Sequence, residues 1–203
     1  MKSKKQIFLI HGAESFKSYN DYLNYLKTRN VSLDKWVNWR DEYLDKKLGA
    51  GYEIIRPRFP NPDNAYYVEW KITFERYIPL LRSGVILVGN SMGAVFLAKY
   101  LSENKFPKKL GGVFLIAPPF SNKLLGEYYD GGFNLKSDLS LIEKSCKTTT
   151  LLFSQDDDVV PIIHATAYAH KLPKTKIMIF ESKNGHFRIP EFPEIVKLIK
   201  EIK

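Results

Sequence analysis

Short apolar runs of five or six residues recur along the chain: Gln6 to Ile10, Glu53 to Pro57, Gly112 to Ala117, Thr148 to Phe153 and Lys176 to Phe180. Val85 to Val88 adds a sixth run. Most lack strict apolar–polar alternation, which reads as strands buried on both faces rather than as a half-solvated sheet. Between them the apolar positions take helical spacing. Leu33, Trp36, Val37, Leu44 and Leu48 predict an amphipathic helix stopped by Gly49 and Gly51. Tyr67, Trp70, Phe74, Tyr77, Ile78 and Leu81 mark one face of a helix over 64–82. Another helix begins at Ala94 and is closed by Pro107, and a short one surrounds Tyr19 to Leu26. Further helices are expected over Asp138 to Cys146 and Pro161 to Leu172, and Phe192, Ile195, Val196 and Ile199 mark a closing one.

Strand and helix alternate throughout, so the predicted class is α/β, a three-layer α/β/α sandwich around a mostly parallel central sheet. Two stretches fall outside the alternation. Arg58-Phe59-Pro60-Asn61-Pro62-Asp63 is a proline-rich loop that cannot continue a sheet. Ser121 to Lys136 is irregular, turns at Asp130-Gly131-Gly132, and is the candidate for a small cap or pocket wall.

Composition adds boundaries to this picture. The 203 residues contain no internal repeat, low-complexity tract or linker, and fit one domain over 1–203. Thirteen Phe, 12 Tyr and 3 Trp argue for a well-packed globule. The net charge of +9 comes from lysines spread along the chain, without an aromatic-interleaved basic motif, and reads as a solvated basic surface rather than a nucleic-acid site. A single cysteine, Cys146, rules out an intramolecular disulfide and a cysteine-based metal cluster; it is expected to be a buried small hydrophobe. The apolar run at Ile7 to Ile10 is too short for a signal-peptide core and no stretch approaches a membrane span, so the expectation is a cytoplasmic protein without membrane insertion. Oligomeric state is left open.

The candidate chemistry centres on Val85-Ile86-Leu87-Val88-Gly89-Asn90-Ser91-Met92-Gly93-Ala94, an apolar strand that runs through Gly-x-Ser-x-Gly straight into a helix. This is the pattern of a nucleophile elbow, in which a strained turn lifts a serine above the sheet and flanking glycines permit close approach of strand and helix. A serine hydroxyl needs a base, and a histidine base needs a carboxylate to fix its tautomer. Three aspartates, Asp156, Asp157 and Asp158, follow the fifth apolar run; the alternative for them is turn and cap formation ahead of Pro161. The base candidate is His186 in Asn184-Gly185-His186-Phe187, between the last strand and last helix. His11 lies in the first strand's exit loop, whereas His164 and His170 fall in a helix, where surface or satisfied-core roles are expected. Backbone N–H groups of Met92 and Ala13 are the candidate oxyanion-hole donors. Glu14, beside them, would disfavour anionic substrates. Phe120, the 121–136 loop, Phe59, Tyr66 and Tyr67 are candidate apolar pocket walls, equally readable as core or surface aromatics.

Together His11-Gly12, Gly89-Asn90-Ser91-Met92-Gly93, Ser154 to Pro161 and Gly185-His186-Phe187 resemble the α/β-hydrolase superfamily over almost the whole chain. Trp39, Pro60-Asn61-Pro62, Trp70 and the compact length resemble its small YdeN-like serine hydrolases, related to retinoblastoma-binding protein 9. In the superfamily's acid loop the aspartate lies four residues before the proline, which implies Asp157, with Asp156 as fallback. The sequence departs from the family at Asn90, where histidine is frequent, and in a longer 14–33 stretch. The resemblance implies an α/β-hydrolase fold with small or no cap and a serine hydrolase with a Ser91-Asp157-His186 triad. The substrate would be a small-molecule ester, or less readily an amide, and neither metal nor organic cofactor is implied. A protein-interaction module on a hydrolase scaffold with vestigial activity is the competing reading. The Leu-x-Cys-x-Glu motif of retinoblastoma-protein binding is absent, so that partner is not expected.

Overall fold

The computed structural model of the chain describes residues 3–33, 37–124 and 129–202. At its centre is a six-stranded parallel sheet of β1 (Lys5–Ile10), β2 (Tyr52–Ile55), β3 (Val85–Asn90), β4 (Leu110–Ile116), β5 (Thr149–Ser154) and β6 (Lys176–Phe180). The spatial order is β2-β1-β3-β4-β5-β6. Ile7 of β1 lies opposite Ile54 on one side and Ile86 on the other. All of β3 and β5, and β1 from Gln6 onward, are buried, and for that reason they read as unbroken apolar runs. The two edge strands are half-covered, and lysine opens β6.

Seven α-helices connect these strands among the described residues: α1 (Tyr19–Thr28), α2 (Leu44–Leu48), α3 (Tyr67–Tyr77), α4 (Met92–Glu103), α5 (Ser140–Ser145), α6 (Ile163–Lys171) and α7 (Pro193–Glu201). The chain steps from β1 to one edge, then back across β1 to β3 and on toward β6. Right-handed crossovers therefore put α2 and α3 on opposite faces. Helix packing agrees: α2 meets α7, while α3 and α5 both meet α4. The result is a three-layer α/β/α sandwich. The reversal of strand order leaves β1 and β3 as neighbours whose exit loops diverge, opening a crevice at their carboxyl ends.

The α3–α4 layer is closed by aromatic packing. Phe96 lies edge-on to Phe74 with ring centroids 5.5 Å apart, and Phe59 and Trp70 pack at 4.9 Å. Trp70 also donates its indole N–H to the Pro60 carbonyl at 2.9 Å, which ties the proline-rich loop to α3 and accounts for that tryptophan together with Pro60-Asn61-Pro62.

One expected helix is corrected. The periodicity starting at Leu33 does not form a continuous helix, since Leu33 and Val37 are exposed, and Trp36 lies outside the described residues. The helical segment begins at Trp39, as a kinked turn over Trp39–Tyr43, where Asp41 is non-helical (φ −87°, ψ −131°), and leads into α2. Asn38 is extended and its side chain accepts the Arg40 N–H, a cap that starts the helix there. Trp39 is buried, against Phe192 at 5.3 Å. The remaining elements lie within a few residues of expectation, and the stop at Gly49 is a positive-φ cap (φ 74°).

Candidate active site

Ser91 sits between β3 and α4 with φ 53° and ψ −118°, a conformation strongly disfavoured for a residue with a side chain. Steric necessity explains the glycines around it. A Cβ on Gly89 would lie 2.5 Å from the Gly93 carbonyl oxygen, and one on Gly93 would lie 2.5 Å from the carbonyl oxygens of both Ile10 and His11. The second contact is with β1, so Gly93 sets α4 against the neighbouring strand as well as closing the turn. The Ser91 N–H extends the sheet by donating to the Ile116 carbonyl at 2.8 Å, while its own carbonyl accepts from Ala94 and Val95. Met92 N–H is the first amide of α4, and helix geometry gives it no intrahelical acceptor.

The three consecutive aspartates all reach the loop that follows β6, each for a different purpose. Asp156 is exposed and accepts from the hydroxyls of Ser154 and Ser182 and from the backbone N–H groups of Lys183 and Gly185. Desolvation opposes its charge, but these hydrogen bonds outweigh it and hold the carboxyl well below the usual carboxylate range. The Asp157 side chain is fully buried. Its two oxygens lie 2.9 and 2.8 Å from His186 Nδ1, and Oδ1 also accepts the N–H groups of Val159 and Val160. Asp158 pairs with Arg188, whose hydrogen bond and charge lower its pKa.

His186 stands between two positive-φ residues, Gly185 (φ 69°) and Phe187 (φ 51°). With Nδ1 donating to Asp157, Nε2 is the acceptor nitrogen of the neutral ring. It is buried and has no hydrogen-bond partner among the described residues. Both His186 and Ser91 line an open cleft of about 490 Å³, whose wall also includes Gly12, Asn90, Arg40 and Val159. Ser91 also lines a much smaller cavity of about 30 Å³, together with Ala13, Met92, Ser15, Pro119, Tyr129 and Val160 among others. Ala13 and Glu14 border both.

The loop after β1 is held rigidly beside the serine. His11 donates from Nδ1 to the Gly12 carbonyl and accepts the Phe59 N–H on Nε2 at 3.0 Å, and burial lowers its pKa. That pattern occupies both ring nitrogens of a neutral imidazole in structural bonds. His164 is likewise a buried structural group, accepting the Phe120 N–H on Nδ1 at 2.8 Å.

A family model described as a serine hydrolase matches residues 33–197. The chain belongs to the serine hydrolase family. It is 26% identical over 189 residues to YdeN of Bacillus subtilis, a proposed hydrolase, covering 90% of this chain and 86% of the relative. The crystal structure of the YdeN gene product superposes with a TM-score of 0.72 at 21% identity over 98% of both chains. An esterase of Pyrococcus furiosus, Pf2001, shares the fold with a TM-score of 0.59 at 17% identity, over 99% of this chain and 84% of that one. The chain therefore shares the α/β fold of the YdeN gene product over nearly its whole length.

In this serine hydrolase, Ser91 and Ala13 line both spaces, His186 lines the open cleft and Met92 the small cavity, Asp157 reaches them through the His186 ring, and Asp156 bonds to the loop after β6 instead. Several other wall residues were not anticipated. Arg40 lies in a stretch that reads as an ordinary amphipathic helix, and nothing in its spacing marks it. Tyr129 borders the Asp130-Gly131-Gly132 turn, which does signal a reversal, but it comes to Ser91 through long-range contacts: Ser15 accepts the Asp130 N–H, and the Gly131 carbonyl accepts the Tyr67 N–H. Conversely, Phe59, Tyr66, Tyr67 and Phe120 line neither cavity beside Ser91. Phe59 is core, Tyr67 packs on Phe96 and Phe133, Phe120 packs on Tyr168, and Tyr66 is exposed. No helix among the described residues is long and apolar enough to cross a membrane.

Proposed function

We propose that this serine hydrolase cleaves a carboxylic ester, and less readily an amide, through an acyl-enzyme formed on Ser91 with a Ser91-His186-Asp157 triad. The observation that supports this most directly is the Asp157–His186 pair. A fully buried carboxylate holds Nδ1, leaving Nε2 unpartnered in the same cleft as a serine at a strained turn. As Ser91 Oγ attacks the carbonyl carbon, its proton passes to His186 Nε2, and Asp157 stabilises the resulting imidazolium. The N–H groups of Met92 and Ala13 stabilise the oxyanion, the first of them reinforced by the positive end of α4. His186 then protonates the departing oxygen or nitrogen, the bond to the leaving group breaks, and water activated by the same histidine hydrolyses the acyl-enzyme.

The test is hydrolysis of 4-nitrophenyl esters by wild type and Ser91→Ala. We expect a loss in kcat of about 10⁴ to 10⁶-fold in the variant, together with loss of fluorophosphonate labelling. Retention of most activity by Ser91→Ala, or no labelling of wild-type Ser91, would overturn the mechanism and favour a binding role for the scaffold.

A further inference from the structure

Ser91 stands at the border of two unequal spaces, and the chemistry of a serine–histidine pair assigns a substrate half to each. His186 must reach the leaving atom to protonate it, so the leaving group occupies the space that His186 lines. That is the open cleft of about 490 Å³. The acyl chain must lie on the other side of the scissile carbonyl, in the cavity of about 30 Å³ beside Met92 and Ala13. His186 does not line this cavity, and its volume is a small multiple of the roughly 10–15 Å³ needed to hold one water by the same kind of measure.

The wall of the small cavity includes a buried tyrosine. Tyr129 is 4% exposed, and its hydroxyl is buried without a hydrogen-bond partner among the described residues. Burial also pushes its ionisation far upward, so the hydroxyl is a neutral donor at any working pH. Buried hydroxyls in native proteins are normally satisfied, and an unpartnered one on a residue that lines a cavity beside a nucleophile is accounted for if the substrate completes it.

Resting on the hydrolase reading above, we propose that the acyl group is short, with a two- or three-carbon chain, and carries a hydrogen-bonding oxygen next to the carbonyl that pairs with the Tyr129 hydroxyl. A 2-hydroxyacyl group such as glycolyl fits this description, and the bulk of the substrate then lies on the leaving-group side. In the reaction the bond from Ser91 Oγ to the acyl carbon forms as the acyl–oxygen bond of the ester breaks, and the alcohol departs with the proton His186 took from Ser91. Water then releases the 2-hydroxy acid.

The experiment compares 4-nitrophenyl glycolate with the near-isosteric propionate, and acetate with hexanoate, in wild type and Tyr129→Phe. A site built to pair with a substrate hydroxyl rejects the analogue that lacks it. We expect wild-type kcat/KM to favour glycolate over propionate by about 10- to 100-fold, after correction for spontaneous hydrolysis, given the usual cost of leaving a buried polar group unpaired. Tyr129→Phe should bring that ratio to near one through loss on glycolate while propionate turnover persists, and acetate should exceed hexanoate by at least about tenfold for so small a cavity. A wild-type glycolate-to-propionate ratio near one, an unchanged ratio in Tyr129→Phe, or hexanoate turnover equal to acetate would overturn the proposal. Fluorophosphonate labelling of Ser91 separates the two levels. Labelling with a ratio near one removes the acyl-group assignment alone, whereas absence of labelling removes the hydrolase mechanism with it.

Discussion

The loop after β3 and the paired loops after β5 and β6 each present a reactive group at a strand end, but they are built by opposite means. Around Ser91 the construction is steric: two glycines remove side chains so that backbones can touch. Around His186 it is polar. Three successive aspartates fasten the 154–161 loop to the 182–188 loop, through serine hydroxyls and backbone amides, through the histidine ring, and through an arginine. The serine is thus positioned by what is absent from its neighbours, and the histidine by what its neighbours carry. A steric device should fail with volume and be indifferent to pH, whereas a polar device should fail with charge.

Among variants that probe this contrast, the largest expected effect comes from Asp157→Asn, which keeps the volume of the buried side chain but removes its charge. An amide cannot hold His186 in the required tautomer or stabilise its protonated form, so we expect kcat to fall by about 10³ to 10⁴-fold. Each tenfold corresponds to about 1.4 kcal/mol of transition-state stabilisation. The measurement is kcat on a nitrophenyl ester, with circular dichroism to establish that the fold is kept. A fall of less than tenfold would transfer the role of triad acid elsewhere, and the matching Asp156→Asn variant would then be the one to lose activity.

Second in size is Gly93→Ala on the steric side. The new methyl would meet the carbonyl oxygens of Ile10, the last residue of β1, and His11, the first residue after it, both at 2.5 Å, and both are backbone, which cannot give way cheaply. Destabilisation of about 3 kcal/mol is expected, at the upper end of ordinary overpacking. It should be the same at pH 5 and pH 8, since no titrating group is involved. Urea unfolding at the two pH values tests this, and a loss below about 0.5 kcal/mol would mean that α4 is free to shift away from β1.

The same contrast decides what could be read from the sequence. The elbow was legible because strand, glycines and helix are contiguous, so the local pattern contains the whole device. Which aspartate pairs with His186 was not legible from the residues alone. Asp156, Asp157 and Asp158 have the same chemistry and differ only in which part of a loop 26 to 30 residues further on each one meets. Arg40 and Tyr129 escaped for the same reason, as their places beside Ser91 depend on contacts between loops distant in sequence. The misplaced helix start has a different origin. Leu33 and Val37 keep the apolar period, but Asn38 caps the segment that follows, and the cap sets the boundary.

A third, smaller effect probes the polar device through pH. Asp156 has its pKa held below its ordinary value, so its contribution to stability is present above the unfolded-state value of about 4 and is lost as pH falls below it toward the native value. Asp156→Asn should therefore lower stability by about 1 kcal/mol at pH 7, after discounting for its solvent exposure, and the gap from wild type should narrow at pH 3. A gap independent of pH would show that the hydrogen bonds act through shape rather than charge.

The smallest effect belongs to the outermost member of the three. Asp158 and Arg188 are both substantially exposed, with side chains 60% and 40% accessible, although the guanidinium makes two contacts of 2.8 Å with the carboxylate. Exposed pairs contribute about 0–1 kcal/mol, because side-chain ordering and solvent screening offset most of the Coulomb attraction. Asp158→Asn should thus change unfolding free energy by less than about 0.5 kcal/mol in 0.15 M salt, and the difference should vanish in 1 M salt, where the screening length is about 3 Å. The pair nevertheless lies over Gly185, where a Cβ would meet Arg188 Nη1 at 2.7 Å and Asp158 Oδ1 at 2.9 Å. If the pair serves to hold the histidine loop against the cleft, Asp158→Asn will raise KM or lower kcat measurably even though stability hardly moves. Unchanged kinetics together with unchanged stability would leave the zip between the two loops resting on Asp156 and Asp157 alone.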